Sequence, residues 1–191
     1  MKLLKSIPVK KTIPIILILL ATVCNAQKKE PLNGTAILFM SRHGTTEKVA
    51  NIIRDSLKDQ HVTVINLKNR RNPDVSKCDL VLIGCSFHVG KIQKRVRKFC
   101  TRNEAMLLTK PVGIFVSAMF TGDELKNEFD KAFSEKLRNH AKATGFMGYE
   151  LYFEKMDPVT RKVMHKLTGE KQDVFKINYD NINKFISDIR R

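Results

Sequence analysis

The sequence of 191 residues has four cysteines but no CxxC pair, and five histidines but no HExxH. The first absence excludes zinc ribbons and thioredoxin-like redox pairs, the second the common zinc-protease site. There is no GxGxxG and no GxxxxGK[ST], so the usual NAD and ATP fingerprints are missing. No internal repeat or low-complexity stretch occurs. No Ser/His/Asp, Cys/His or paired-carboxylate constellation stands out, and no catalytic side chain is assigned. Acidic residues are scarce: 19 Asp and Glu face 35 Lys and Arg, for a formal net charge of +16. That balance favours anionic partners, such as nucleic acid, acidic protein surfaces or anionic lipid headgroups.

What is present begins with a leader. Met1 to Lys11 is basic and Ile13 to Cys24 is apolar. Cys24-Asn25-Ala26 then puts small residues before Gln27, the order of a secretory signal. The apolar run falls short of the roughly 20 residues of a comfortable bilayer span. Three readings stay open for residues 1–26: a cleaved signal, a retained anchor, or a lipid anchor through Cys24. All three place the protein at or beyond a membrane, and the bacterial envelope is the expected location. Residues 27–34 read as a polar linker, and 35–191 as one domain. Three cysteines remain past the leader, an odd number that speaks against a full disulfide framework.

From Thr35 onward, strand and helix patterns alternate. Thr35 to Met40, Leu80 to Cys85 and Val112 to Ser117 are apolar runs of strand length. Their continuity suits strands covered on both faces. His61 to Leu67 alternates like a half-exposed strand. Helical stripes recur over Glu47 to Asp59, Ile92 to Cys100, Asp123 to His140 and Ile182 to Ile189. Phe146 to Phe153 and Val174 to Ile177 read as pieces of a last strand, with Glu154 to Gln172 as an insert that interrupts it. The expected fold is α/β: a doubly wound, five-stranded parallel sheet. Ligands of such sheets bind beyond the carboxyl ends of the strands, where strand order reverses.

That rule points to the segments after Met40, Cys85 and Ser117. Ser41, Arg42, His43, Gly44, Thr45 and Thr46 form a turn that enters a helix. The helix start offers unpaired N–H groups, Ser41, Thr45 and Thr46 offer hydroxyls, and Gly44 allows close backbone approach. Together they suit a phosphate monoester; an ordinary helix cap by Thr45 or Thr46 is the competing reading. Ser86, Phe87, His88, Val89 and Gly90 follow the central strand, and Ser117, Ala118, Met119 and Phe120 follow the next. These segments supply apolar and aromatic surface for a flat ring. The insert carries Val159, Val163, Met164 and Leu167 among Arg161, Lys162, His165 and Lys166, a basic amphipathic helix suited to a membrane surface.

The turn resembles the FMN-phosphate loop of flavodoxins, Ser/Thr-x-Thr-Gly-x-Thr: Ser41, Gly44 and Thr46 match, and His43 departs. The chain is more similar still to the flavodoxin-like menaquinone-dependent protoporphyrinogen oxidases. The likeness runs through Arg42-His43, Val81 to Ser86, Val89-Gly90, Gly148 to Phe153 and Arg161 to Gly169. The resemblance implies an FMN oxidoreductase that takes electrons from protoporphyrinogen IX and passes them to a quinone, its insert meeting substrate and membrane. A quinone or a redox partner protein is the expected partner, and nucleic acid is not. A non-enzymatic electron carrier and a flavodoxin-fold protein without flavin are the alternatives. Electron-carrier flavodoxins are acidic, so the basic balance departs from them, as the leader departs from the oxidases.

Overall fold

The computed structural model describes residues 32–57, 61–88, 90–119 and 121–191. The leader expected over 1–26, most of the linker, Val89 and Phe120 lie outside them, and His88 is described only as backbone. Five parallel strands form the main sheet: β1 (Gly34–Phe39), β2 (Val62–Asn66), β3 (Cys78–His88), β5 (Val112–Ser117) and β6 (Ala143–Phe146). Their order is β2-β1-β3-β5-β6. The helices are α1 (Thr45–Ser56), α2 (Lys94–Leu107), α3 (Gly122–Ala132), α4 (Glu135–His140), α5 (Pro158–Thr168) and α6 (Tyr179–Arg190).

Period-two alternation divides the apolar runs between two cores. Ala36, Leu38, Val81, Ile83, Ile114 and Val116 face Val96, Phe99 and Leu107 of α2, Leu125 and Phe129 of α3 and Leu137 of α4. Ile37, Phe39, Leu82 and Phe115 face Val49 and Ile53 of α1 and Ile182, Phe185 and Ile189 of α6. Helices therefore cover both faces, and the strands between them can be apolar throughout. Phe99, Phe115 and Phe185 are fully buried, each worth about 1.5–3 kcal/mol of transfer free energy.

Four local features depart from expectation. The helix expected over Asp123 to His140 is two helices. Phe133 is extended, and Ser134 caps α4 by accepting from the Leu137 N–H at 3.2 Å. The segment after Cys85 is no simple loop: β3 runs on to His88 and pairs antiparallel with β4 (Lys91–Ile92). The fifth strand lies earlier than Phe146 to Phe153. Its sequence, Ala-Thr-Gly-Phe, makes no apolar run; a Cβ on Gly145 would sit 2.4 Å from the Met147 side chain.

Finally, the insert follows the fifth strand and does not split it. Past Met147 the chain forms β7 (Gly148–Leu151), which pairs antiparallel with β8 (Val174–Ile177) in a separate two-stranded sheet. α5 lies between them. Gly148 makes this possible: its φ is +72°, and a Cβ there would lie 1.9 Å from the Lys176 carbonyl oxygen.

Candidate functional site

The strand order reverses between β1 and β3, and the segments leaving β1, β3 and β5 meet at their carboxyl ends. A small cleft opens there. It is lined by Ser41, His43, Thr45 and Thr46 from the first segment, Ser86 and Phe87 from the second, and Ser117, Ala118 and Met119 from the third. Tyr149, Glu150 and Leu151 of β7 complete it. A larger hollow of about 450 Å³ lies at the opposite end of the sheet, between Gly34, Leu80 and Pro111 at the strand starts. Ligands of doubly wound sheets bind at carboxyl ends, and the larger hollow lacks a cluster of hydroxyls, so the smaller cleft is the candidate.

The turn is built around Gly44. Its N–H donates to Ser41 Oγ at 2.9 Å, and its φ of +99° is a conformation that costs other L-residues about 1–2 kcal/mol. Gly44 occupies the N-cap of α1, and no side chain caps the helix. The first-turn amides are thus left to a ligand, with the positive end of the helix dipole behind them. The cap reading for Thr45 or Thr46 does not hold. Thr45 Oγ1 instead donates to the Glu150 carbonyl at 3.4 Å. Thr46 is fully buried, and its Oγ1 has no hydrogen-bond partner.

Ser117 Oγ, at the end of β5, is likewise buried without a partner. A buried hydroxyl left unbonded costs about 1–3 kcal/mol, so two in one cleft mark a place where a polar ligand belongs. Ser86 differs: its hydroxyl accepts from Gln93 Nε2 at 2.6 Å and its N–H donates to Gln93 Oε1 at 3.2 Å. Gln93 therefore fixes the second segment beside the cleft. Arg42 is exposed and outside the cleft lining; Gly90, half-buried in the β3–β4 hairpin within reach of Glu128, is outside it too.

Sequence reasoning missed Glu150, which it read only as part of a strand. Its side chain is buried in the cleft wall. Oε1 lies 2.5 Å from Lys48 Nζ, and Oε2 accepts from the Tyr152 hydroxyl at 2.8 Å. These bonds hold the Lys48 ammonium and the Tyr152 phenol above their usual pKa ranges. A bare buried carboxylate would repel a phosphate; Lys48, one turn into α1, neutralises it. Glu150 thus ties β7 to α1 twice, through its carbonyl to Thr45 and its carboxylate to Lys48.

Comparison with known proteins gives the family and the fold. The flavodoxin domain family matches residues 36–176. No curated protein matches. Among solved structures, rubredoxin oxygen:oxidoreductase from the anaerobe Desulfovibrio gigas superposes with a TM-score of 0.53 at 16% identity, covering 84% of this chain. The chain spans only 35% of that protein's length. The flavodoxin, WrbA-like protein from Agrobacterium tumefaciens superposes with a TM-score of 0.50 at 11% identity over 82% of this chain and 97% of its own. At such identities the superpositions speak to fold alone. The residues present fit an FMN phosphate: an uncapped helix start, a left-handed glycine and two orphaned buried hydroxyls. With the match covering well over half of the chain, it belongs to the flavodoxin domain family, FMN-binding proteins of electron transfer.

Proposed function

We propose that the protein is an FMN oxidoreductase that works at a membrane surface, takes electrons from protoporphyrinogen IX and delivers them to a quinone. The observation that carries the FMN part is the pair of unpartnered buried hydroxyls, Thr46 Oγ1 and Ser117 Oγ, beside the uncapped start of α1. FMN supplies the electron chemistry when bound. The chain's own residues do the rest. The Ser41–Thr46 turn and the α1 amides would hold the phosphate, with Thr46 donating to it. Phe87, Ala118 and Met119 would give the ring apolar walls, and Ser117 a donor at its polar edge. Glu150 and Lys48 keep the wall neutral and join it to α1.

The finer reading draws on the resemblance to menaquinone-dependent oxidases and on the exposed basic insert. It is tested with FMN-loaded protein, reduced porphyrinogen and a soluble quinone analogue in detergent, without oxygen. Porphyrin fluorescence should grow only when both flavin and quinone are present. A protein whose flavin passes electrons to a redox protein but never oxidises porphyrinogen is a carrier, and the enzyme reading falls.

A further inference from the structure

Helix α5 has every local signal of a stable helix. Asp157 caps it by accepting from the Val159 and Thr160 N–H groups, Pro158 opens it, and Gly169 closes it at φ +74°. Yet none of its residues is buried. Its ties to the domain are polar and lie on one side. Arg161 Nε donates to the Phe153 carbonyl at 3.0 Å, its Nη2 donates to those of Glu154 and Met156, and His165 Nδ1 donates to the Glu170 carbonyl at 2.9 Å. Met164 alone of its apolar residues packs on the small cluster of Leu151, Phe153 and Val174.

The opposite side carries Val159, Val163 and Leu167, 73%, 51% and 71% exposed. Four-residue spacing stacks them in one stripe along the helix. At about 100° per residue, Lys166 and Lys162 border that stripe within about 60° of Val159. Behind the lysines lies a cavity of about 310 Å³ walled by Phe153, Pro158, Arg161, Lys162, His165 and Lys171. Among the described residues, Arg161, Lys162 and Lys171 have no carboxylate partner. Of the nearby acids, Asp157 caps the helix and Glu170 pairs with Lys176 at 3.4 Å, while Glu154 is exposed and Asp173 Oδ1 is buried without a hydrogen-bond partner.

We propose that α5 lies in the headgroup layer of an anionic phospholipid bilayer, with Val159, Val163 and Leu167 towards the acyl chains and the basic cavity holding a lipid phosphate. The proposal rests on the membrane part of the function proposed above and gives it a contact. An apolar stripe bordered by lysines is the pattern of an interfacial helix. Arg161 spends Nε and Nη2 on backbone carbonyls, which leaves the Lys162 and Lys171 ammonium groups at the cavity to favour a phosphate, and its place beside the stripe puts that phosphate at headgroup height.

The test is amide hydrogen exchange on the FMN-loaded full chain, read locally over Pro158–Thr168 so that any contribution of the first residues is set aside. Vesicles of phosphatidylcholine with phosphatidylglycerol should slow exchange there by about fivefold or more, and pure phosphatidylcholine should not. Lys162→Gln with Lys171→Gln should abolish the difference between the two vesicles. Val163→Asp should remove the protection that the phosphatidylglycerol vesicles give. These side chains are exposed, so flavin absorbance should stay unchanged. Three results would overturn the proposal: no slowing on phosphatidylglycerol vesicles, equal slowing on both kinds, or equal slowing by glycerol phosphate without vesicles, which would make the cavity a site for free anions. An acidic protein as the true occupant would appear as the first of these. Porphyrinogen turnover in detergent is independent of docking, so the enzyme reading and the lipid contact can fail separately.

Discussion

Thr46 makes opposite demands on the empty and the loaded protein. Its Oγ1 is buried and unbonded, so Thr46→Ala removes a desolvated hydroxyl that earns nothing in the protein alone. Urea unfolding of the flavin-free variant should show stability unchanged or slightly raised. The same change should weaken FMN binding by about 1 kcal/mol or more, the scale of one hydrogen bond to a charged group, by calorimetric titration. Weakened folding with unchanged FMN affinity would refute its role. Gly44→Val acts differently. Nothing in the protein stands within 4 Å of a Cβ at Gly44, so the obstacle is its φ of +99°. The variant should lose about 1–2 kcal/mol of folding stability as well as FMN affinity. The glycine and the hydroxyls of this turn were legible in the sequence because they fall between an apolar run and a helical stripe. Glu150 was not, because an acid in a strand signals burial only once its partners, 102 residues away at Lys48, are known.

At the scale of elements, the break between α3 and α4 hangs on Ser134. Its hydroxyl accepts from the Leu137 N–H and donates to Glu104 of α2. Ser134→Ala should cost about 1 kcal/mol, read as a lower urea midpoint with an unchanged slope. An unchanged midpoint would mean that packing of Phe133 and Leu137 sets the break alone. Four-residue apolar spacing ran through this region from Leu125 to Leu137, and periodicity cannot register a serine that interrupts the backbone without interrupting the stripe. The central strands were legible for the opposite reason, since runs such as Leu80 to Cys85 are buried on both faces. The fifth strand, Ala143–Phe146, was hidden because its core face is filled by neighbours packing onto Gly145. The β7–β8 pairing depends on Gly148 meeting the Lys176 backbone, a long-range contact that no local pattern announces.

For the whole molecule, charge and burial together predict alkaline lability. Burial pushes the Cys85 thiol well up and that of Cys100 to about 12, against 9.0 for a free thiol. Burial also raises Cys78, and hydrogen bonds to Glu150 raise Tyr152 and Lys48. Each of these groups holds its proton more tightly folded than unfolded. Their contribution is therefore complete below the unfolded values and is lost as pH rises through the folded ones. Stability should fall steadily from about pH 9 upward, and urea midpoints taken at intervals across that range would show it. A flat profile would mean that the thiols are not sealed in the core. The doubly wound architecture itself followed from the alternation of runs and stripes.

The claim on which the rest depends is that the cleft at the ends of β1, β3 and β5 grips FMN by its phosphate. The most direct test compares FMN with riboflavin, the same ring and chain without the phosphate, by fluorescence titration of the flavin-free protein. Two or more charge-assisted hydrogen bonds of about 1.5 kcal/mol each would favour FMN by about 100-fold or more, and Thr46→Ala should narrow that gap while leaving riboflavin affinity unchanged. Equal affinities for the two flavins, or a folded protein that binds neither, would contradict the account.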